Sequence, residues 1–463
     1  MPLVPTEISL DLEALRHTVR SGRSRPLAWR LEQLSRLEAL LQTHRPRVIE
    51  ALARDLGKPE VEAAMELVAV RQELRHTRRQ LRRWMAPSPL PLAPYLLPAR
   101  ARLIREPLGC VLIISPWNYP FQLCLHPLIS ALAAGNTAVL KPSEHTPATA
   151  ALLDEAIKAT FAADVVQVVQ GDGQTAAALL EQRFDHIFFT GGGRVGALVM
   201  AAAARHLTPV TLELGGKSPA LVLADAPVET TARRLIWGKG FNAGQTCVAP
   251  DYVLVEQPLR QELIAALKQE RQRLYGAEPL SSPDLGAIVN DAQFQRLESL
   301  LQGARQRGQI LIGGGSDPQR RRIEPTVVAV CDGDDPLMQD ELFGPILPLL
   351  AIEGLEQALT LINGRDKPLA LYLFSNDRQA QQRVVNATSS GSVVFNDVIV
   401  QAGDANLPFG GVGASGMGRY HGLEGFRTFS HERTVLARSF WADVPLRYPP
   451  YAGKLPLLER LLG

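Results

Sequence analysis

Short apolar runs alternate with stretches of helical periodicity over most of the chain from residue 111 onward. The runs at 111–114, 138–140 and 187–189 are continuously apolar, as in strands buried on both faces. Between them, 121–134 and 147–161 predict helices, the second with a proline near its start. The alternation predicts a parallel sheet with helices on both faces, in which ligands lie beyond the carboxyl ends of the strands.

The same alternation resumes after Gly216 and predicts a second α/β domain. We expect strands at 220–223, 252–255, 369–374 and 392–395. We expect helices between them at 228–237, 259–274 and 378–387.

The first 85 residues are predicted to be helical, with Gly57 ending one helix before the next begins. In the last of these helices an apolar face recurs at helical spacing, at Leu67, Val70, Leu74, Leu81 and Trp84. The proline-rich stretch 87–98 follows, and its composition excludes a helix interior or a central strand. We expect an extended linker or edge element there.

Composition narrows the class of protein. Of the 463 residues, 46% are hydrophobic, which predicts a sizeable core, and the net charge of +2 argues against nucleic-acid binding. The four cysteines lack paired or metal-binding spacing, so no disulfide or metal site is expected. Reduced thiols and the lack of an apolar N-terminal signal predict a cytoplasmic location.

The stretch 107–140 contains no Asp, Glu, Lys or Arg and could be mistaken for a membrane span. Pro116, Pro120 and Pro127 interrupt it, which favours strand, loop, helix and strand inside a core. We therefore expect no transmembrane segment.

A glycine motif follows the predicted strand at 187–189. Gly191, Gly193 and Gly196 satisfy the spacing G-x-G-x-x-G, which lets the backbone approach a pyrophosphate at a helix N-terminus. A tight turn that binds no ligand is the alternative.

A second motif competes with it for the cofactor's ribose. Lys141, Ser143 and Glu144 directly follow the strand at 138–140 and could contact ribose or phosphate, or form only a charged loop with a helix cap. Glu213 lies roughly 20 residues after the glycines, where an ordinary dinucleotide fingerprint has its ribose ligand. The residues alone leave both assignments open.

Cys247 lies in a loop after an apolar run, within Gly244-Gln245-Thr246-Cys247-Val248-Ala249-Pro250. A thiolate is a strong nucleophile, so an exposed cysteine here could form a covalent intermediate. The alternative is a buried structural cysteine.

Five motifs together resemble the NAD(P)-dependent aldehyde dehydrogenases, from about residue 104 to 431. They are Ser115-Pro116-Trp117-Asn118-Tyr119-Pro120, Leu212-Glu213-Leu214-Gly215-Gly216-Lys217, the Cys247 loop, Glu341-Leu342-Phe343-Gly344-Pro345 and Pro408-Phe409-Gly410-Gly411-Val412-Gly413. The stretches 429–431 and 446–451 are similar to the class 3 branch, which acts on fatty and aromatic aldehydes. The stretch 401–405 departs from that branch and leaves the substrate preference open.

The resemblance implies an α/β fold of three parts and a tail. A Rossmann-like cofactor-binding domain would comprise 1–87 and 105–213, a catalytic domain 214–388, an oligomerisation arm 88–104 and 389–430, and the tail 431–463. The proline-rich stretch and the strand at 392–395 would supply the arm, which in this family pairs with another subunit. A homodimer is therefore expected.

The resemblance also implies site roles. Cys247 would be the nucleophile, Asn118 and the Cys247 N–H would hold the oxyanion, Glu213 would activate water, and Tyr119 would line the aldehyde tunnel. The family's ribose ligands fall at Lys141 and Glu144, which frees Glu213 for catalysis. The residues expected to hold NAD or NADP are Ser115, Trp117, Lys141, Ser143, Glu144, Gly191, Gly192, Gly196, Leu214, Glu341 and Phe343.

Several alternatives stay open from the sequence. Glu144 disfavours a 2′-phosphate by charge, yet the class 3 branch often accepts both cofactors. A CoA-acylating aldehyde dehydrogenase shares the cysteine and the asparagine, and a catalytically silent binding protein could use the same scaffold. The amphipathic segment 454–462 is too short to span a membrane, and could dock on the protein, cover the tunnel or touch a membrane surface.

Overall fold

The computed structural model describes residues 10–441 and 443–462. The predicted cofactor-binding domain and tail also include residues 1–9, 442 and 463, which lie outside the described residues. The described part of the chain starts with four helices: α1 (Leu12–Arg20), α2 (Leu27–Thr43), α3 (Arg45–Leu56) and α4 (Glu60–Met85). The Asp11 carboxylate caps α1, and Gly57 ends α3 in the left-handed conformation at φ +60°. The predicted apolar face of α4 is buried, which confirms the helical prediction.

A six-stranded sheet follows a short extended region and forms the first α/β unit. The elements in chain order are β1 (Ser88–Leu90), β2 (Ala99–Pro107), β3 (Cys110–Ile114), α5 (Gln122–Ala134), β4 (Thr137–Lys141), α6 (Pro147–Thr160), β5 (Val166–Val168), α7 (Gly173–Leu180), β6 (His186–Thr190), α8 (Gly193–Ala204) and β7 (Val210–Glu213). Strands β7-β6-β3-β4-β5 are neighbours in that order and run parallel, as predicted.

Strand alternation buries both faces of this sheet. Phe188 of β6 packs into the cluster that contains α5 residues, whereas Ile187 and Phe189 pack into the cluster that contains Val199 of α8. Because both faces are covered, the carboxyl ends of β3, β4, β6 and β7 are left to form a cleft at one edge.

A seven-stranded sheet forms the second α/β unit, which the sequence also predicted. Its region contains β8 (Pro219–Val222), α9 (Val228–Gly240), β9 (Tyr252–Glu256), α10 (Arg260–Tyr275), α11 (Asp291–Gln306), β10 (Ile310–Ile312), β11 (Ser316–Asp317), β12 (Arg322–Ile323), β13 (Thr326–Val330), β14 (Ile346–Ile352), α12 (Leu355–Asn363), β15 (Ala370–Phe374), α13 (Arg378–Ala387) and β16 (Ser392–Phe395). The strand order is β10-β13-β14-β9-β8-β15-β16, and β11 pairs with β12 separately.

The late strand differs from the prediction. β16 was expected in the arm, but it pairs in parallel with β15 and forms an edge of the seven-stranded sheet. A short apolar run has the same sequence pattern whichever sheet it joins, so the pattern does not predict which strand it pairs with.

A separate three-stranded sheet is built from other segments. After β17 (Gly416–Met417), which pairs with β7, and α14 (Gly422–Thr428), strand β18 (Ser430–Arg438) pairs with β2 along its whole length, and β1 pairs with the other side of β2. This three-stranded sheet therefore extends to Pro107 and includes part of the predicted tail. The last helix is α15 (Leu455–Leu462). Within the described residues, no helix is long and apolar enough to cross a membrane.

Candidate active site

The Cys247 loop begins where α9 ends and is held in an unusual conformation. Asn242 and Ala243 have φ values of +50° and +52°, and Gly244 has +72°. A Cβ on Gly244 would lie 2.4 Å from the carbonyl oxygen of Gly344, so glycine is required there for space as well as conformation. The loop is therefore fixed against the segment that carries Gly344.

Buried amides hold this loop in place. The Asn242 side-chain amide donates to the carbonyl oxygens of Asn118, at 2.9 Å, and Gln245, at 3.1 Å. The Gln245 amide donates to the carbonyl oxygen of Ala287 and accepts from the Val289 N–H. These bonds fix the backbone around Cys247 and tie it to the loop that carries Asn118.

Three predicted catalytic residues face one cavity although they are distant along the chain. Asn118 follows β3, Glu213 ends β7, and Cys247 follows α9; all three line a cavity with about 850 Å³ of empty volume. Glu213 is 2% exposed and Asn118 is 3% exposed. The Asn118 Oδ1 atom and both Glu213 carboxylate oxygens are buried without a hydrogen-bond partner among the described residues, as expected of groups kept for a ligand or water.

Burial sets the protonation of these groups. It raises the pKa of Glu213 well above its usual range. Burial also raises the pKa of the Cys247 thiol, and the carboxylates of Glu341 and Glu213 raise it further. Both shifts favour the uncharged form of the group concerned.

A buried charge cluster positions Glu341. Asp251 accepts hydrogen bonds from Lys217 at 2.7 Å, from Lys239 at 3.1 Å and from the Leu342 N–H at 3.2 Å. Burial raises the pKa of Glu341 to about 8, and the charge of Asp251 contributes to the rise. Phe343 follows with a φ of +49°, and its ring lies edge-on to Trp117 at 5.1 Å.

The glycine motif opens toward the same cavity. Gly192 caps α8, and nothing in the described part of the chain lies within 4 Å of where a Cβ on Gly192 or Gly193 would project. The first N–H groups of α8 have no partner within the helix, and the space beside these two glycines is open, as a pyrophosphate site requires. Glycine is needed at positions 191 and 196 for packing, because a Cβ there would lie 2.5 Å from the Phe189 side chain and 2.8 Å from the Leu214 side chain respectively.

The second predicted ribose motif lies at the end of the neighbouring strand β4. Lys141 donates to the Glu144 carboxylate at 2.7 Å, and Ser143 Oγ accepts from the His145 N–H. Burial opposes ionisation of Glu144, but the hydrogen bond and charge of Lys141 outweigh it and lower the pKa of Glu144. Since β4 adjoins β3 in the sheet, this ion pair lies at the same edge as the cavity.

The predicted residues divide into two groups. Those lining the cavity are Trp117, Asn118, Gly191, Gly192, Glu213, Leu214, Cys247, Glu341 and Phe343. Ser115, Lys141, Ser143, Glu144 and Gly196 are not part of its lining. The Ser115 hydroxyl is buried and meets no hydrogen-bond partner within residues 10–441 and 443–462.

Tyr119 faces a second cavity that meets the first at Cys247. Its hydroxyl lies 2.6 Å from Thr246 Oγ1, and its ring stacks on Phe241 at 6.2 Å. Trp237 and Ile399 also line this second cavity, which has about 820 Å³ of empty volume and a mainly apolar wall. This second cavity therefore reaches Cys247, and the glycine motif is not part of its lining.

Sequence reasoning missed several lining residues. Gln293 and Thr190 line the first cavity, and Tyr420 lines both. Thr190 directly precedes the glycine motif and could have been proposed from it. Tyr420 reaches the site because its backbone pairs with Phe409, and no local signal predicts that pairing.

The donor set at this edge fits a dinucleotide. Free helix N–H groups, an ion-paired lysine and glutamate, and an aromatic pair beside Glu341 match what phosphate, ribose and a planar ring require.

Comparison with known proteins assigns this geometry to a family. Residues 7–435 match the family described as the aldehyde dehydrogenase family. The chain is 49% identical over 448 residues to aldehyde dehydrogenase family 3 member B1 of Homo sapiens, with 96% of this chain and 94% of that protein covered.

Solved structures of aldehyde dehydrogenases have the same fold as this chain. The substrate-bound state of Staphylococcus aureus AldH superposes with a TM-score of 0.94 at 42% identity, covering 97% of this chain and 98% of that chain. Betaine aldehyde dehydrogenase of Staphylococcus aureus in complex with NAD+ has a TM-score of 0.84 at 26% identity, covering 95% and 89%. Glyceraldehyde-3-phosphate dehydrogenase GapN of Methanocaldococcus jannaschii, complexed with NADP, has a TM-score of 0.82 at 25% identity, covering 92% of each chain.

Proposed function

The chain belongs to the aldehyde dehydrogenase family, and we propose on that premise that Cys247, Asn118 and Glu213 oxidise an aldehyde to its carboxylic acid in two covalent stages. NAD or NADP is the cofactor of the reaction. The observation that carries the proposal is that these three side chains, from separate parts of the chain, face one cavity beside the glycine motif.

The first stage is attack of the Cys247 thiolate on the carbonyl carbon. The oxyanion of the resulting thiohemiacetal accepts hydrogen bonds from the Asn118 side-chain amide and the Cys247 backbone N–H. One such donor contributes about 3–4 kcal/mol to transition-state stabilisation. The hydride that leaves the substrate carbon would pass to the nicotinamide of the cofactor, and that carbon would remain on Cys247 as a thioester.

The second stage is hydrolysis. Glu213 accepts a proton from a water molecule, which attacks the thioester and releases the acid and the thiol. The two unpartnered carboxylate oxygens of Glu213 support this role, since they are free to accept from water. A CoA-acylating enzyme would pass the thioester to CoA instead and would not need this carboxylate.

Cofactor binding is assigned to the carboxyl edge of the six-stranded sheet. The N–H groups at Gly192 and Gly193 would hold the pyrophosphate, Lys141 and Glu144 the adenosine ribose, and Glu341 the nicotinamide ribose. Because Glu144 is ionised at neutral pH, it repels a 2′-phosphate, and we expect NAD to be preferred over NADP.

The substrate is assigned to medium- or long-chain aliphatic or aromatic aldehydes. The second cavity supports this class, because Tyr119, Trp237, Phe241 and Ile399 give the approach to Cys247 an apolar wall. Such a wall contributes binding energy for each methylene removed from water, about 0.8 kcal/mol when fully buried.

We further propose a homodimer located in the cytoplasm. The dimer is supported by β18, most of whose side chains are exposed in the isolated chain, and by the neighbouring Phe440 and Trp441, which are 104% and 81% exposed. The location is supported by four cysteines that form no disulfide.

The test is turnover of a graded panel of aldehydes with NAD or NADP, with and without CoA. We expect activity that rises with chain length, favours NAD and needs no CoA. Cys247→Ser should abolish it, whereas Cys331→Ser, which changes an exposed cysteine, should retain it. Activity that requires CoA, or that survives Cys247→Ser, would contradict the proposal.

A further inference from the structure

A buried ion pair lies beneath the two loops that carry Asn118 and Cys247. Lys58 follows α3, Glu66 lies on α4, and their side chains are 0% and 1% exposed. The Lys58 ammonium donates to one Glu66 oxygen at 2.5 Å. Burying two charges costs free energy that the pair only partly recovers, so an ion pair here indicates a purpose other than stability.

Each member of the pair contacts the Asn118 loop. Lys58 donates to the backbone carbonyl oxygen of Asn118 at 2.8 Å and lies 4.0 Å from the centre of the Tyr119 ring. The second Glu66 oxygen accepts from the Gln122 N–H at 3.0 Å, at the first residue of α5. The loop is therefore fixed at its middle by the cation and at its end by the anion.

The same contacts join this loop to the Cys247 loop. The Asn118 carbonyl oxygen accepts from both Lys58 and the Asn242 amide, and α4 supplies Glu62, which accepts from the Asn242 N–H at 2.9 Å. The position of the Asn118 backbone thus depends on donors from the N-terminal helices and from the Cys247 loop.

We propose that Lys58 is a positioning residue, paired with Glu66, that aligns the Asn118 amide with the oxyanion formed on Cys247. The inference rests on the oxyanion role of Asn118 proposed above. Lys58 acts through the Asn118 backbone, so its loss should move the amide without removing it. Misplacement of a catalytic group by about 1 Å can cost on the order of 100-fold in rate.

The test uses Lys58→Met together with Glu66→Gln, because removing the lysine alone leaves a buried unpaired carboxylate. We expect the double variant to fold, to bind NAD within about twofold of wild type and to lose 10- to 100-fold in kcat/KM for the aldehyde. Alkylation of Cys247 by iodoacetamide forms no oxyanion, so its rate should stay within about threefold of wild type. Arg47→Met, which breaks the exposed Arg47–Glu155 pair, is the control and should leave both readouts unchanged.

The decisive measurement repeats the double substitution in an Asn118→Ala background. If the pair acts through Asn118, the further loss there should be less than about threefold. The inference would be overturned if the double substitution lowered kcat/KM by the same factor in the Asn118→Ala background as in wild type. It would also be overturned if the alkylation rate fell by as much as kcat/KM, because either result would show a general structural role. Full activity of Asn118→Ala would instead refute the oxyanion assignment, whereas a loss in Asn118→Ala with a fully active pair variant would overturn this inference alone.

Discussion

Gly215→Ala should separate cofactor binding from folding. A Cβ on Gly215 would lie 2.1 Å from Glu341 Oε2 and 2.7 Å from Glu341 Cδ. Ordinary contact begins near 3.4 Å, so the carboxylate must withdraw by roughly 1 Å, enough to break a hydrogen bond of normal length.

The expected loss falls on the cofactor. Because its pKa is about 8, Glu341 is mostly uncharged at neutral pH, and an uncharged hydrogen bond contributes about 0.5–1.5 kcal/mol. Losing the one from Glu341 should therefore weaken NAD binding by about 2- to 10-fold. Folding should change little, within about 1 kcal/mol, because the displaced atoms are the end of a flexible side chain and Gly215 does not have a positive φ.

The assay is the dissociation constant for NAD by calorimetry, together with urea unfolding of the cofactor-free protein. Gly173→Ala is the control, because within the described chain nothing lies within 4 Å of its added Cβ, and it should leave both values unchanged. A folded Gly215→Ala protein with wild-type affinity for NAD would refute the placement of Glu341 in the cofactor site.

Four further predictions test the chemistry and the structure around the site. Glu213→Gln should accumulate a thioester visible by intact mass after mixing with aldehyde and NAD, and normal turnover without that adduct would remove Glu213 from the hydrolysis step. Because burial raises the pKa values of both the Cys247 thiol and Glu213, kcat/KM should rise between pH 6 and 9, and a flat profile would contradict the assignments. Glu341 has a pKa of about 8 in the folded protein against a usual value of 4.5, so its contribution to stability is full below pH 4.5 and is lost as the pH rises to 8. The free energy of unfolding measured with urea should therefore fall over that range, and it should fall less steeply in Glu341→Gln. The same slope in both proteins would contradict the pKa shift. Gly244→Ala should lower the free energy of unfolding by about 1–3 kcal/mol, since it combines a contact of 2.4 Å with a φ of +72°, and wild-type stability would show that the loop can relax.

The sequence determined the local elements of this protein. The helix at 378–387 and the strand at 392–395 have the predicted bounds, and most other predicted elements differ by one or two residues at an end. These features depend on period and on turn chemistry, which neighbouring residues decide among themselves. The joint motifs around Asn118, Glu213 and Cys247 also indicate the family from the sequence alone.

Only the tertiary structure decided which distant segments meet. Strand 392–395 joins the seven-stranded sheet and β18 pairs with β2, because pairing depends on partner segments elsewhere in the chain and not on the strand's own pattern. Lys58 and Glu66 look like surface charges in the sequence, since such residues are rarely buried unless they are paired. Their burial, and the convergence of amide, carboxylate and thiol on one cavity, follow from how the two sheets and the N-terminal helices pack together, which no local pattern encodes.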